Sequence, residues 1–424
     1  MTDELRDEKA YLAARAEQLA ARMESEGVSR KKLLQLVGNA LPLLAGARPL
    51  AKAGPASEWT HGSPIRKPVP PEWFVPFGTN AEMRWDSLAD GGYEIPNERF
   101  FVRNHTATPL VDPATWRLRV FGDGLRRRPG AGDSVEFSLR DLKRLRSKKL
   151  TALIECAGNG RSVFAGQQGT PASGTQWALG GVGLAEWRGV LLSEVLDRAG
   201  ITKDAVDVLP EGLDANVLAG GVDLGKVRRP LPVDKALDDV LLAYEMNGVP
   251  LPPDHGFPVR LVVPGWVGIA SIKWLGQIEV STQPLFSPWN TTSYRMFGPE
   301  YPADSPPLAS LPVKSALELA RGAVLPVGRR TTLAGRAWSG TAAIRLVEVS
   351  TDRGATWAAA KLHGPNRRGA WARWRFTFEP RTPGDYEIWT RATDEDGRAQ
   401  PLSVPFNTFG YLCSAVVRHP VVVA

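Results

Sequence analysis

Apolar and polar residues alternate along the last quarter of the chain. Residues 345–350 (RLVEVS) and 374–378 (WRFTF) follow the two-residue period of strands with one buried face. Turn-forming stretches, DRG at 352–354 and PGD at 383–385, separate such runs. This spacing predicts an all-β sandwich over residues 313–424. Earlier, between about 71 and 285, the pattern is mixed. Short strands are expected at 116–120 (WRLRV) and 259–263 (VRLVV), with a helix over 191–199. At the start, Leu5, Leu12 and Leu19 recur every seven residues with Ala16 and Met23 on the same side, which predicts a helix over 1–26 closed by Gly27. Residues 50–70, rich in Pro, Ala, Gly and Ser, read as a linker, and 284–312 as a Pro-rich connection. The expectation is an α+β chain in three parts: 1–70, 71–290 and 291–424.

Composition narrows the class. Of 424 residues, 43% are hydrophobic and 23% charged, which suits a folded globular protein. The net charge of +7 comes with basic runs at 126–128 (RRR) and 143–149 (KRLRSKK). Such runs form a solvated basic face, or a positive field that draws in a small oxyanion. They lie in no nucleic-acid-binding module, so no nucleic acid is expected as a partner. The chain has no apolar run of the ~18 residues a membrane helix needs, so no stable membrane span is expected. Residues 29–49 combine a basic start, a moderately apolar stretch and a small-residue end. This layout resembles a twin-arginine export signal, with Arg30 and Lys31 where two arginines are expected. A helical extension on a cytoplasmic protein is the other reading.

There are two cysteines, Cys156 and Cys413, too few and too far apart for a disulfide framework. Cys413 reads as packing in the sandwich. Cys156 stands in TALIECAGNGR (151–161), where an apolar run meets a glycine-rich turn. Three readings are open: core filler, nucleophile and metal ligand. The residues after it, Ala157, Gly158, Asn159 and Gly160, offer no bulk to bury beside a thiol. That places Cys156 at a strand end facing a cavity, where glycines let backbone approach a ligand closely. Arg161 favours the thiolate, the form that attacks or binds metal. A nucleophile would need a histidine partner, His105 or His255 on paper. A soft-metal site suits a thiolate better.

The segment 154–161 (IECAGNGR) resembles the molybdenum-cysteine segment of the sulfite oxidase family. Four more segments follow that family in order and spacing: FFVRNH at 100–105, GLD at 212–214, DHGFPVR at 254–260 and SIKWLG at 271–276. LAYEMNG at 242–248 joins them. The segments GRAWSG (335–340) and VSTD (349–352) resemble the family's immunoglobulin-like dimerisation domain. The resemblance implies a molybdopterin-binding catalytic domain over 71–290 and an immunoglobulin-like domain with its connecting segment over 291–424. It implies Mo-molybdopterin, the molybdenum cofactor, with Cys156 as the protein's ligand to the metal. Arg103, Asn104, His105, Asp214, His255, Arg260, Ser271, Ile272 and Lys273 match the cofactor contacts. The arginine, lysine and histidine side chains would give charge-assisted hydrogen bonds to phosphate and pterin oxygens, and Asp214 would accept from pterin N–H groups. Arg103, Arg161, Trp177 and Tyr294 match active-site positions around a small oxyanion substrate, Tyr294 as a proton-transfer phenol.

Two positions depart from the family pattern. Ala270 replaces an arginine before the SIK segment, and Phe409 replaces an arginine in FNTFG (406–410) that would reach the substrate. The family's haem domain has no counterpart before residue 71, so electrons are expected to leave to an external acceptor, a cytochrome or dioxygen. The expected activity is oxidation of sulfite to sulfate by a homodimer. The alternatives are a sulfoxide or nitrate reductase on the same scaffold, and a non-catalytic binding protein with a degenerate cofactor fold.

Overall fold

The computed structural model describes residues 63–89, 91–219 and 221–424. The helix expected over 1–26, the signal-like stretch at 29–49 and the linker up to residue 62 lie outside the described residues.

Two five-stranded sheets build the first part. One runs Leu231–Pro232, Asp207–Gly212, Leu275–Ser281, Arg117–Phe121, Val135–Ser138, with Leu275–Ser281 parallel to Arg117–Phe121 and the other pairs antiparallel. The other runs Val249–Pro250, Leu241–Met246, Val182–Leu191, Lys148–Glu155, and Arg260–Val262 also pairs with Leu241–Met246. Their apolar faces share one core that includes Leu118, Val120, Ile278, Leu184, Trp187 and Leu242. The strand Lys148–Glu155 (KKLTALIE) explains the position of Cys156. It is exposed at its two lysines and buried from Ala152 onward, so it enters the core as it runs and delivers the next residue to the interior. Helices are short. Leu192–Ala199 buries Leu192, Val195 and Leu196 on one stripe and ends at Gly200, whose left-handed backbone a glycine adopts without steric cost.

The second part is a sandwich of two sheets. One runs Lys314–Leu317, Thr331–Trp338, Trp371–Phe378, Lys361–His363; the other runs Ala323–Leu325, Arg418–Val423, Gly384–Asp394, Ile344–Ser350, Ala358–Ala359. Val347, Val349, Trp374, Ile388 and Val421 fill the space between them. The alternation in WRFTF is realised: Trp374 and Phe378 are buried, Arg375 and Thr377 exposed.

The two parts meet through aromatic and polar contacts. The Trp85 ring lies 5.8 Å from Trp338 and 6.2 Å from Trp371. Arg336, buried beside Glu318, donates to the carbonyls of Gly92 (3.1 Å) and Tyr93 (3.2 Å).

Two expectations are corrected. Residues 63–70 are not free linker. The amides of Arg66 (2.9 Å) and Lys67 (2.7 Å) donate to the fully buried Asp254 carboxylate, and Ile65 and Lys67 are buried. A buried carboxylate needs donors, and this strip of backbone supplies them, a pairing that composition does not reveal. Cys413 is not in the sandwich core. It packs with Val163, Phe164, Ala172 and Ala415 against the helix Ser162–Gln168, and burial pushes its thiol pKa up.

Candidate active site

Main-chain bonds hold the turn after Glu155. The Cys156 amide donates to Gly181 O at 2.8 Å, and the Asn159 amide to Cys156 O at 2.9 Å. The Asn159 side chain accepts from Gly181 N at 2.9 Å. From the C-terminal part, Leu412 N donates to Ala157 O at 2.7 Å. Gly160 has φ +90°, and a Cβ there would lie 3.2 Å from Cys413 O, so the turn requires glycine at this point.

Cys156 faces a cavity. The cavity brings together Arg103, Asn104, His105, Cys156, Asp214, His255, Arg260, Ser271, Ile272, Lys273 and Tyr294. Arg161 and Trp177 do not line it. Trp177 is buried against Phe77 (5.9 Å) and Phe101 (6.3 Å) and backs the Phe101 wall. The Arg161 guanidinium lies behind the cysteine turn. Its Nε donates to Phe409 O at 2.6 Å and its Nη1 to Thr175 O at 2.5 Å, with the Tyr411 ring 5.8 Å away. Of the two departures, Ala270 is fully buried and Phe409 packs on Phe297 (5.6 Å) and Tyr411 (5.4 Å); neither lines the cavity.

Near Cys156 the charges are strongly desolvated. Arg103 Nη2 donates to Tyr294 Oη at 3.2 Å, and Cys156 lies close to the guanidinium. Tyr294 sits at φ +56°, a strained backbone for a non-glycine residue, and its ring stacks on Tyr411 at 5.1 Å. Burial raises the Tyr294 pKa, so the phenol stays protonated. His105 Nε2 accepts from Trp289 Nε1 at 3.1 Å, which leaves the proton on Nδ1. Burial, with Arg103 and Lys273 nearby, drives the His105 pKa well down; burial and the cations Lys67, Lys273 and Arg260 do the same to His255. Both imidazoles are therefore neutral in the cofactor-free protein.

The cations across the cavity are held by carbonyls. Arg260 donates to the carbonyls of Leu261, His255 and Ser271 at 3.0–3.2 Å, and burial lowers its pKa to about 9. Ser271 Oγ accepts from Val263 N at 3.0 Å. Lys273 donates to Asp254 O at 2.8 Å and to the Asn104 side chain. Sequence reading missed Lys67 altogether. Its ammonium is buried, donates to Asn97 O at 3.2 Å and to Phe100 O, and lies 3.5 Å from His255 Nε2; burial lowers its pKa to about 7. The single signal was a lysine within a proline-rich stretch.

These residues fit a pterin dithiolene with an anionic tail. Two buried polar atoms on cavity-lining residues, Arg103 Nη1 and Asp214 Oδ1, have no partner among the described residues, a costly state unless a ligand supplies one. Burial raises the Asp214 pKa to about 6. Arg260, Lys273 and neutral His255 suit an anionic tail, and Asp214 suits amino and ring N–H groups. Among the described residues, no three His, Cys, Asp or Glu side chains cluster as a metal cage. Cys156 offers a single sulfur donor, which suits a metal whose other donors come from a dithiolene.

The fold and site together define a molybdopterin oxidoreductase. Residues 105–289 match the family described as oxidoreductase molybdopterin binding domain, and residues 306–423 match the Mo-co oxidoreductase dimerisation domain. The chain is 40% identical over 357 residues to sulfite oxidase of Gallus gallus, covering 79% of this chain and 74% of that protein. It is 37% identical to mitochondrial sulfite oxidase of Mus musculus over 79% of this chain and 62% of that one. Nitrate reductase [NAD(P)H] of Hordeum vulgare is 32% identical, with 40% of its length covered. Among solved structures, the sulfane dehydrogenase SoxCD from Paracoccus pantotrophus superposes with TM-score 0.68 at 24% identity, over 88% of this chain and 95% of that one. The chain belongs to the sulfite oxidase family. It is a molybdenum oxidoreductase whose cofactor is Mo-molybdopterin.

Proposed function

We propose that the protein oxidises sulfite to sulfate: sulfite and one water give sulfate, two protons and two electrons. Held by Cys156 and the cavity's polar side chains, the molybdenum cofactor would supply the oxygen-atom transfer and two-electron redox chemistry. The observation that carries the reading is the convergence of Cys156, Arg103 and Tyr294 in one desolvated cavity, with a guanidinium nitrogen on Arg103 that has no partner among the described residues. In this reading Arg103 binds the oxyanion by charge-assisted hydrogen bonds. The Tyr294 phenol donates to a substrate oxygen and carries a proton in and out. Arg161 acts from behind the turn, adding positive field while its position is held by Phe409 O and Thr175 O. Electrons leave to an external acceptor, a cytochrome or dioxygen, and the second domain pairs two copies into a homodimer.

A turnover screen of the molybdenum-loaded protein tests this. Sulfite with ferricyanide as oxidant is expected to give turnover; dimethyl sulfoxide and nitrate with reduced viologen are expected to give none. Turnover with the latter pair and none with sulfite would assign a reductase instead.

A further inference from the structure

The catalytic turn is braced from the second domain by a buried network that the proposed chemistry does not use. Glu155, the residue before Cys156, is 1% exposed, and Lys314, the first residue of the sandwich strand Lys314–Leu317, is 4% exposed. Lys314 Nζ donates to Glu155 Oε1 at 2.7 Å and to Asn159 O at 2.9 Å. Asn159 Nδ2 donates to the same carboxylate oxygen at 2.9 Å, and Trp338 Nε1, also from the sandwich, donates to Glu155 Oε2 at 2.9 Å. Asn159 Oδ1 then accepts from Gly181 N, whose carbonyl takes the Cys156 amide. The hydrogen bonds therefore run without a break from the Lys314 ammonium to the cysteine backbone.

We infer that Lys314 is a positioning residue for Cys156: through Glu155 and Asn159, the second domain sets the turn that presents the thiol to the cavity. A buried ion pair is a poor way to gain stability alone, since desolvation cancels much of the attraction. Here both partners also bind backbone or side chains of the turn, so the pair fixes geometry. Three donor groups make four hydrogen bonds to one carboxylate and one carbonyl, and two of the groups bear charge. Releasing them lets the turn open locally without unfolding either sheet.

The test uses the full chain and Lys314→Met. A second variant, Lys314→Met with Glu155→Gln, removes both charges and folds even where the single variant leaves a carboxylate stranded. The first readout is independent of the cofactor: iodoacetamide alkylation of Cys156 in cofactor-free protein, followed by mass spectrometry. Loss of a charge-assisted bond predicts a rise in alkylation rate of about tenfold or more, with buried Cys413 still unlabelled. The second readout rests on the proposed sulfite oxidation. In molybdenum-loaded protein kcat falls at least tenfold while KM for sulfite moves less than about threefold, because Arg103 is untouched. A lower melting temperature with wild-type alkylation and wild-type kcat would overturn the inference and leave Lys314 a structural fastener. Faster alkylation in a protein that never oxidises sulfite would uphold the positioning role and remove only the substrate reading.

Discussion

Arg103→Met separates binding of a ligand from support of the fold. Arg103 Nη2 donates to Tyr294 Oη at 3.2 Å, and its Nη1 is buried without a partner among the described residues. A buried unsatisfied donor costs about 1–3 kcal/mol, and one modest hydrogen bond returns about 1 kcal/mol. Methionine fills similar space without either term. The cofactor-free variant should thus be no less stable than wild type in urea unfolding. With sulfite the ledger reverses. A charge-assisted donor to the substrate contributes about 1.5–3 kcal/mol, so kcat/KM should fall by about ten- to 150-fold. Steady-state ferricyanide reduction measures the second quantity. A kcat/KM within threefold of wild type, or a stability loss above about 2 kcal/mol, would refute the reasoning. Arg336→Met is the contrast: its guanidinium is paired with Glu318 and bound to two carbonyls, so removal should cost about 3–5 kcal/mol.

Further expectations follow from the same geometry. Cys156→Ser should keep the melting temperature and lose turnover by at least a thousandfold, since a hard alkoxide replaces thiolate poorly; activity within tenfold would contradict it. Phe409→Arg should lower stability by more than about 1 kcal/mol and leave KM for sulfite unimproved, because the side chain packs on Phe297 and Tyr411 and not in the cavity. A lowered KM would show that the ring position does reach substrate. Asp214 has a folded pKa raised to about 6 from 3.8. Its protonated form is favoured in the fold, so that stability is fully present below about pH 4 and is lost as pH rises through about 6, by roughly 2–3 kcal/mol. The difference in unfolding free energy between cofactor-free wild type and Asp214→Asn should follow that curve, and a pH-independent difference would refute it. Light scattering should give twice the chain mass at micromolar concentration; the mass of one chain would remove the homodimer.

Much of the site was legible because its parts are short, chemically specific segments in a fixed order. IECAGNGR places a thiol at the end of a strand that becomes apolar toward its C-terminus, and the structure bears the local geometry out: the strand is Lys148–Glu155 and the next residue enters a cavity. The sandwich was legible from alternation, which is a local property. What escaped reading depends on distant pairs. Lys67 and Asp254 are 187 residues apart, and Glu155 and Lys314 are 159 apart; no local pattern marks either pair. Protonation states escaped too. In the cofactor-free protein His105 and His255 are held neutral first by burial and then by Arg103, Lys273, Arg260 and Lys67 around them, which no local pattern announces. Phe409 fell in an arginine's place in the alignment of segments, yet the fold turns its carbonyl, not its ring, to Arg161.

The most direct test of the central claim is sulfite-dependent reduction of ferricyanide by purified protein carrying one molybdenum per chain, run beside Cys156→Ser. The account predicts two ferricyanides reduced and one sulfate formed per sulfite in the wild-type protein, and no turnover in the variant. Molybdenum-replete wild-type protein that leaves sulfite unchanged, or a Cys156→Ser variant that still oxidises it, would contradict the account.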